Sequence, residues 1–438
     1  MHETLPRLLA DALADAPPGP LRVAFSGGPD SCALLHALGG LPQARRRDLR
    51  ALHVDHGLHA DSARWAAHCL HLCAQWQVPI ELLRVQVRSD GQGLEAAARA
   101  ARYAALAARL PDGALLATAQ HLADQAETVL LKLLRGAGPH GLGGMRALRP
   151  LRPGWLWRPL LEQPREILQA YLHAQHIEAI EDPANRDPAL ARSFLRRQAL
   201  PLLRQRWPHA EQALLHVARV QQGLADDLDR RAAAALPVLA DDHGGTLRIR
   251  AWLQLPAALR VPVLEHWLRR QHLPVPATAP LQALLRMLAV AERDRVPQLR
   301  YGRSVLRAWR DRLYADHWTE PPPPQWSMPW DGRGLDLPGA GGLMLERADA
   351  RCDPPLRLRR AWPGERLRRA GEAHSRSLGA LFQQAQVPPW QRAGCPVIED
   401  ADGGVLALGD IAQTAAGQAY FGRLQTRPVW RRGGPRAD

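Results

Sequence analysis

The chain has 438 residues, 46% of them hydrophobic and 23% charged, with a formal charge of +14 and a pI near 10.8. That length exceeds what one core supports, so several domains of roughly 100–200 residues are expected. The composition excludes a disordered or fibrous chain, no apolar run approaches the ~18 residues of a membrane span, and the positive charge favours a polyanionic partner such as nucleic acid. Arg far outnumbers Lys and Ala is abundant, a pattern that GC-rich coding also produces, so charge alone does not establish RNA binding.

The opening segment "MHETLPRLLADALADAPPGP" carries acidic residues and lacks a continuous apolar stretch, unlike a signal peptide. The five Cys, at 32, 69, 73, 352 and 395, form no CxxC pair; reduced thiols in a cytoplasmic protein are expected, and no membrane association. His68, Cys69, His71 and Cys73 share one helical segment but face different ways, which reads as core and surface rather than as a metal site.

From Leu21 to about Ala119, the apolar runs "LRVAF", "RALHVDH", "IELLRVQV" and "GALLATA" alternate with helical stretches. The pattern predicts an α/β domain, a doubly wound parallel sheet of Rossmann-like type with helices on both faces. Ligands of such sheets bind at the carboxyl ends of the strands.

After the first strand comes Ser26, Gly27, Gly28, Pro29, Asp30 and Ser31, then an amphipathic helix. Glycines allow close backbone approach, and the unpaired amides of a first helical turn attract anions. The loop has no Lys and is too short for the GxxxxGK[ST] type. A carboxylate beside phosphates needs an intervening cation, so Asp30 points to Mg²⁺ on a pyrophosphate. The loop resembles that of the PP-loop ATP pyrophosphatases, and this likeness implies ATP cleavage between the α and β phosphates.

Four further segments resemble the tRNA(Ile)-lysidine synthetases within that superfamily. "ALHVDHGLHADS" supplies His53, Asp55 and His56, with His59 where Arg is common; "GLEAAARAARYAAL" supplies Glu95, Arg99, Arg102 and Tyr103. "LLATAQHLADQAETVLLKLLRGAGPHGLGGM" is the longest match. Its helical stripes put Leu122, Ala126, Val129, Leu130 and Leu133 on one side and His121, Asp124, Gln125 and Thr128 on the other. The family's usual pair of adjacent acids is Ala123 and Asp124 here, leaving Asp124 as the candidate general base or metal ligand, and the Gly-rich run resembles a flexible loop over tRNA. "EDPANRDPALARSFLRRQALP" carries Glu181, Asp182, Asn185, Arg192, Leu195, Arg196, Leu200 and Pro201, with Ala184 and Ser193 replacing the family's Ser and Asn.

Helices dominate from Gln212 to Val290, broken at Pro237, Pro256, Pro274 and Pro276, and "TEPPPPQW" reads as an extended connector. Near the C-terminus, "VPPW" with Trp390, and Arg366, Arg368, Arg369 and Arg376, resemble the family's terminal domain. The expected division is 1–210 catalytic, 211–320 mainly helical, 321–355 linker and turns, and 356–438 a small mixed α+β domain.

The resemblance implies an AMP-forming carbon–nitrogen ligase that adenylates C2 of the wobble cytidine of tRNA(Ile) with a CAU anticodon and joins L-lysine there. Its implied catalytic residues are Asp30, Asp124 and Arg102, with Ser26 to Ser31, His53 and Asp55 on ATP and Asp30 on Mg²⁺. Arg135, Arg192, Arg196, Arg368, Arg369 and Arg376 are its candidate tRNA contacts. Oligomeric state is left open, a homodimer included. The alternatives are another PP-loop tRNA-modifying or amide-forming enzyme, or a non-catalytic RNA-binding protein on the same fold.

Overall fold

The computed structural model describes residues 4–57, 61–86, 94–180, 191–241, 245–290, 296–338 and 341–432. The chain divides into two compact units, Met1–Asp227 and Leu228–Asp438.

In chain order the first unit contains α1 (Leu5–Ala14), β1 (Leu21–Ala24), α2 (Pro29–Gly39), α3 (Pro42–Arg45), β2 (Arg50–Asp55), α4 (Ser62–Gln75) and β3 (Ile80–Arg84). Then follow α5 (Leu94–Ala107), β4 (Leu115–Ala117), α6 (Leu122–Leu134), α7 (Pro139–Leu142), β5 (Leu148–Leu151), β6 (Gly154–Trp157) and α8 (Arg165–Ala174). The helices α9 (Ala191–Phe194) and α10 (Leu200–Arg206) are joined by a π-helical turn, Leu195–Ala199, and α11 (Ala210–Leu239) runs on past the unit boundary.

The strands form one sheet in the order β3-β2-β1-β4-β6-β5, parallel except for β5, which pairs antiparallel with β6. The parallel doubly wound sheet read from the sequence is therefore present. The β5–β6 hairpin was not expected; its Pro150 and Gly154 break the apolar alternation that marks a strand. Because β1 sits between β2 and β4, the chain changes direction beside β1, and the crevice at its carboxyl end is the switch point where such folds bind ligands.

One face of the sheet is covered by α2, buried along most of its length because Leu5, Leu9 and Leu13 of α1 and Leu168 and Leu172 of α8 pack against it. The other face carries Leu52, Leu83, Leu106, Leu116 and Leu156, with Tyr103 at its margin. Each such fully buried Leu contributes about 1.5–3 kcal/mol, which holds the carboxyl edge rigid on both sides.

The second unit continues with β7 (Thr246–Arg248), α12 (Ile249–Leu253), α13 (Ala257–Arg270), α14 (Thr278–Val290), β8 (Gln298–Tyr301), β9 (Ser304–Trp309) and β10 (Arg312–His317). Its helices pack around Trp252 and Trp267 against a four-stranded antiparallel sheet, order β7-β10-β9-β8. Pro237 was expected to break a helix but lies inside α11, two residues before its end, where only one late intrahelical hydrogen bond is lost.

Further strands are β11 (Ser327–Trp330), β12 (Leu335–Asp336), β13 (Gly342–Leu345), β14 (Leu356–Arg360), β15 (Arg366–Leu367) and β16 (Arg376–Ser377). They are followed by α15 (Leu378–Gln384), α16 (Pro389–Arg392), β17 (Pro396–Glu399), β18 (Val405–Leu408), β19 (Ala412–Gln413), α17 (Ala415–Arg423) and β20 (Pro428–Arg431). The stretch 321–355, read as linker and turns, supplies strands to this lobe: β11 pairs with β14 and β13 with β20. A single core that includes Trp330, Leu345, Leu358, Phe382 and Trp430 binds them together.

Candidate active site

β1 delivers the chain to Phe25, whose amide bonds the Leu52 carbonyl at 2.9 Å, and the backbone then turns sharply into α2. Gly27 has φ +79°, a conformation costly for any residue with a Cβ, and a Cβ there would also stand 2.7 Å from Ile180 Cδ1 and 2.8 Å from Cys69 Sγ. The Ile180 amide in turn donates to the Gly27 carbonyl at 2.9 Å. Ser31 Oγ donates to the Gly28 carbonyl at 2.9 Å and lies 3.1 Å from Ser26 Oγ, so the hydroxyls of the loop brace each other. Pro29 occupies the first helical position, where its missing N–H costs nothing.

Asp30 points from this first turn toward two nitrogen-bearing side chains, with Arg165 Nε at 3.3 Å and His121 Nε2 at 3.6 Å. Burial pushes the Asp30 carboxyl up, but His121 and Arg165 outweigh it and hold the group below the usual carboxylate range. His121 caps the start of α6, directly after β4, and is 2% exposed. Burial alone would discharge it; the carboxylates of Asp30 and Asp124 overcome that and raise its pKa above the ordinary histidine value. Asp124 lies 3.5 Å from the same Nε2 and accepts from the His121 amide at 3.1 Å. His121 thus bridges the two carboxylates that the sequence singled out, one from each side of the switch point.

The next turn of α6 adds a residue that sequence reasoning missed. Glu127 is 0% exposed and receives Arg196 Nε at 2.6 Å and Nη2 at 3.1 Å, while the same Nη2 reaches Asp124 at 2.9 Å. Burial raises the Glu127 pKa, and the Asp124 charge adds to that; Arg196 and Arg192 only partly offset the two. The helical spacing of 124, 127 and 128 was the available signal. Arg165 and Ile180 had none, because their contacts with the loop span more than a hundred residues of sequence.

The polar stripe of α6 is buried rather than solvated: Gln125 is 1% and Thr128 9% exposed, while Leu133 of the supposed apolar stripe is 53% exposed. Gln125 clamps the Gly-rich stretch through Met145, donating to its carbonyl and accepting from its amide, both at 2.8 Å. That stretch, expected as a flexible loop, contains α7 and is pinned at its end.

The remaining candidates divide. His53 joins the loop through Nδ1, 2.9 Å from the Phe25 carbonyl. Asp55 accepts from the Gly57 amide at 2.9 Å, and Arg102 Nε reaches His56 Nε2 at 3.1 Å, at the carboxyl end of β2. Arg99 and Arg149 flank the Tyr103 ring at 5.1 and 5.9 Å. Arg135 is exposed at the far end of the 13-residue α6, about 20 Å from His121. Arg192 and Arg196, whose side chains are 38% and 36% exposed, reach Thr128, Glu127 and Asp124. In the second unit, Arg369 and Arg376 both approach Glu372, at 3.9 and 3.1 Å, and Arg368 is exposed. His59, Glu181, Asp182, Ala184 and Asn185 lie outside the described residues, as does the Glu95 side chain.

The Asp30 carboxylate and the Ser26 and Ser31 hydroxyls are hard oxygen donors of the kind Mg²⁺ takes, an ion that binds one or two protein carboxylates and completes its shell with phosphate and water. Among the described residues no group of three or more His, Cys, Asp or Glu forms a prebuilt cage.

Residues 1–203 match a PP-loop domain family, 247–314 the TilS substrate binding domain and 356–430 the TilS substrate C-terminal domain. The chain is 40% identical to the tRNA(Ile)-lysidine synthase of Xanthomonas campestris pv. campestris (strain 8004), over 97% of this chain and 98% of that one. It is 42% identical to that of Xylella fastidiosa (strain Temecula1), over 90% and 91%, and 41% identical to that of Alkalilimnicola ehrlichii, over 98% and 96%. Among solved structures, the U34-tRNA thiolase NcsA from Methanococcus maripaludis superposes with a TM-score of 0.42 at 15% identity, covering 50% of this chain and 77% of that one. With the loop, the bridged carboxylates and near-complete coverage of these relatives, the chain belongs to the tRNA(Ile)-lysidine synthase family.

Proposed function

We infer that this chain is an ATP-dependent ligase that forms lysidine on tRNA(Ile), the modification its relatives are named for. The observation that carries the reading is the pair of carboxylates, Asp30 and Asp124, joined by His121 across the switch point of a PP-loop domain. We assign the substrates as ATP, L-lysine and tRNA(Ile) with a CAU anticodon.

The amides and hydroxyls from Ser26 to Ser31 bind the phosphates, and the open backbone at Gly27 and Gly28 allows them to approach closely. Asp30 is the group that would hold Mg²⁺, which would supply positive charge against the negative charge developing on leaving pyrophosphate. The cytidine C2 oxygen attacks the α-phosphate and releases pyrophosphate; the lysine amine then attacks C2 and releases AMP. That amine must attack uncharged, and we assign Asp124 to accept its proton or orient it. Arg102 stands at the adjoining β2 edge as a phosphate partner. His53, buried and held uncharged by that burial, fixes the Phe25 carbonyl at the root of the loop.

The tRNA would be held by 211–320 and 356–438, where Arg368 is among the exposed cations. No helix among the described residues is long and apolar enough to cross a membrane. A homodimer is a separate assignment, read by sedimentation.

The deciding experiment is pyrophosphate release from ATP with and without tRNA and lysine, with mass analysis of the treated tRNA. Release that requires tRNA, and tRNA that gains the mass of lysine less water at one cytidine, is expected. Release independent of tRNA, or no mass change with folded protein, refutes the assignment.

A further inference from the structure

In the second unit, β9, β10 and α16 enclose a cavity of about 230 Å³ lined in part by Arg307, Tyr314, Asp316, Trp390, Gln391 and Arg432. One wall is a ladder of planar groups. The Arg300 guanidinium lies 4.2 Å from the Trp318 ring centre, and Arg307 lies 5.5 Å from Trp318 and 5.3 Å from Trp390. Tyr314 meets Trp390 edge-on, at 5.2 Å and 78°. Both aromatic rings remain half-buried. Ordinary core packing would have closed Tyr314 and Trp390 against aliphatic neighbours; here they share a space with two guanidinium groups, a carboxylate and an amide. The cavity is smaller than the ~300–1,000 Å³ that encloses a drug-sized ligand, which suits one planar ring system whose remaining parts stay outside.

We propose that this cavity receives one unpaired base of the RNA substrate, stacked on the Trp390–Arg307 wall. Single-stranded RNA is recognised by stacking splayed bases on aromatic and guanidinium planes, with polar groups on the base edges. Gln391 lines the cavity with an amide that can meet a base edge. Arg432, which also reaches Asp410 at 3.4 Å, is a second lining cation that can meet the attached phosphate. The site is built from strands and a helix of the second unit that contain none of the PP-loop residues. The proposal rests on the tRNA reading above and adds a second point at which the substrate is held.

The test uses the full-length chain and tRNA carrying 4-thiouridine at unpaired positions, irradiated and mapped by mass spectrometry. A crosslink within 305–316 or 387–392 is expected; crosslinks confined to other peptides overturn the proposal. In parallel, Trp390→Leu keeps an apolar side chain but removes the stacking face, and should weaken tRNA binding about tenfold. Trp390→Phe should restore most of it. Equal loss in both variants, or none in either, overturns the proposal and leaves Trp390 a packing residue. Absence of tRNA-dependent pyrophosphate release in the unaltered chain removes the parent reading, and this one with it.

Discussion

Replacing Arg196 with Met tests whether Glu127 is a held charge or an inert buried acid. Arg196 supplies two hydrogen bonds to Glu127, at 2.6 and 3.1 Å, and one to Asp124 at 2.9 Å. Breaking a buried pair from one side costs about 3–5 kcal/mol. Arg196 is 36% exposed and Arg192 stands 3.9 Å from Glu127, so screening and partial substitution reduce the expectation to roughly 2 kcal/mol at pH 8. The sign follows from the direction of the shift. The folded pKa of Glu127 is already above its unfolded value, and the variant raises it further. Such a group is least costly when protonated, so the loss is small near pH 5 and grows as pH rises through the folded pKa, by at most about 1.4 kcal/mol per pH unit for one proton. Native-state hydrogen exchange of α6 peptides, corrected for intrinsic rates, reads this locally and avoids assuming two-state unfolding of a multidomain chain. Adding Glu127→Gln to the variant should flatten the pH dependence and recover over half of the loss. A destabilisation that is equal at pH 5 and pH 8, or unchanged by Glu127→Gln, would refute the reasoning.

Asp30→Ala should abolish tRNA-dependent pyrophosphate release while leaving tRNA affinity within a fewfold, as gel-shift titration would show; lost tRNA binding counts against a role confined to the phosphates. Gly27→Ala adds a Cβ within 2.8 Å of two side chains at φ +79°, and should raise the KM for ATP at least tenfold or lower stability by more than 1 kcal/mol; an unchanged KM and melting temperature together would exclude the close fit. Burial holds the Cys69 and Cys73 thiols at a pKa of about 12 and pushes Cys32 higher still. Iodoacetamide at pH 7.5 should therefore leave all three unmodified until the chain unfolds, and rapid labelling of native protein would contradict their placement.

The parallel sheet was legible because four apolar runs of strand length each end in a polar or glycine turn, and the loop at Ser26 because its residue types have few other uses at a strand–helix junction. His121 and Asp124 could be placed beside that loop because a strand runs directly into their helix, whose polar face then begins at the carboxyl edge of the sheet. Their electrostatics could not, because the partners that set them, Arg165 and Arg196, are brought in by tertiary packing. An Arg-rich segment looks the same in sequence whether it meets RNA phosphate or a buried carboxylate, and Arg196 meets the carboxylate. The strands within 321–355 are two to four residues long, too short for alternation to show, and their partners lie as far away as Pro428–Arg431.

Gly27 has a bearing on how this enzyme can be rebuilt. Its carbonyl is tied to the Ile180 amide and its missing side chain is matched by Ile180 Cδ1 and Cys69 Sγ, so three stretches far apart in the sequence form one interlocking part. A chimera that takes only the SGGPDS hexapeptide from a homologue inherits a key without its lock, whereas one that transplants the α4 cysteine and the residue at 180 along with it should keep its turnover. Within the family, changes at these three places are expected to be inherited together.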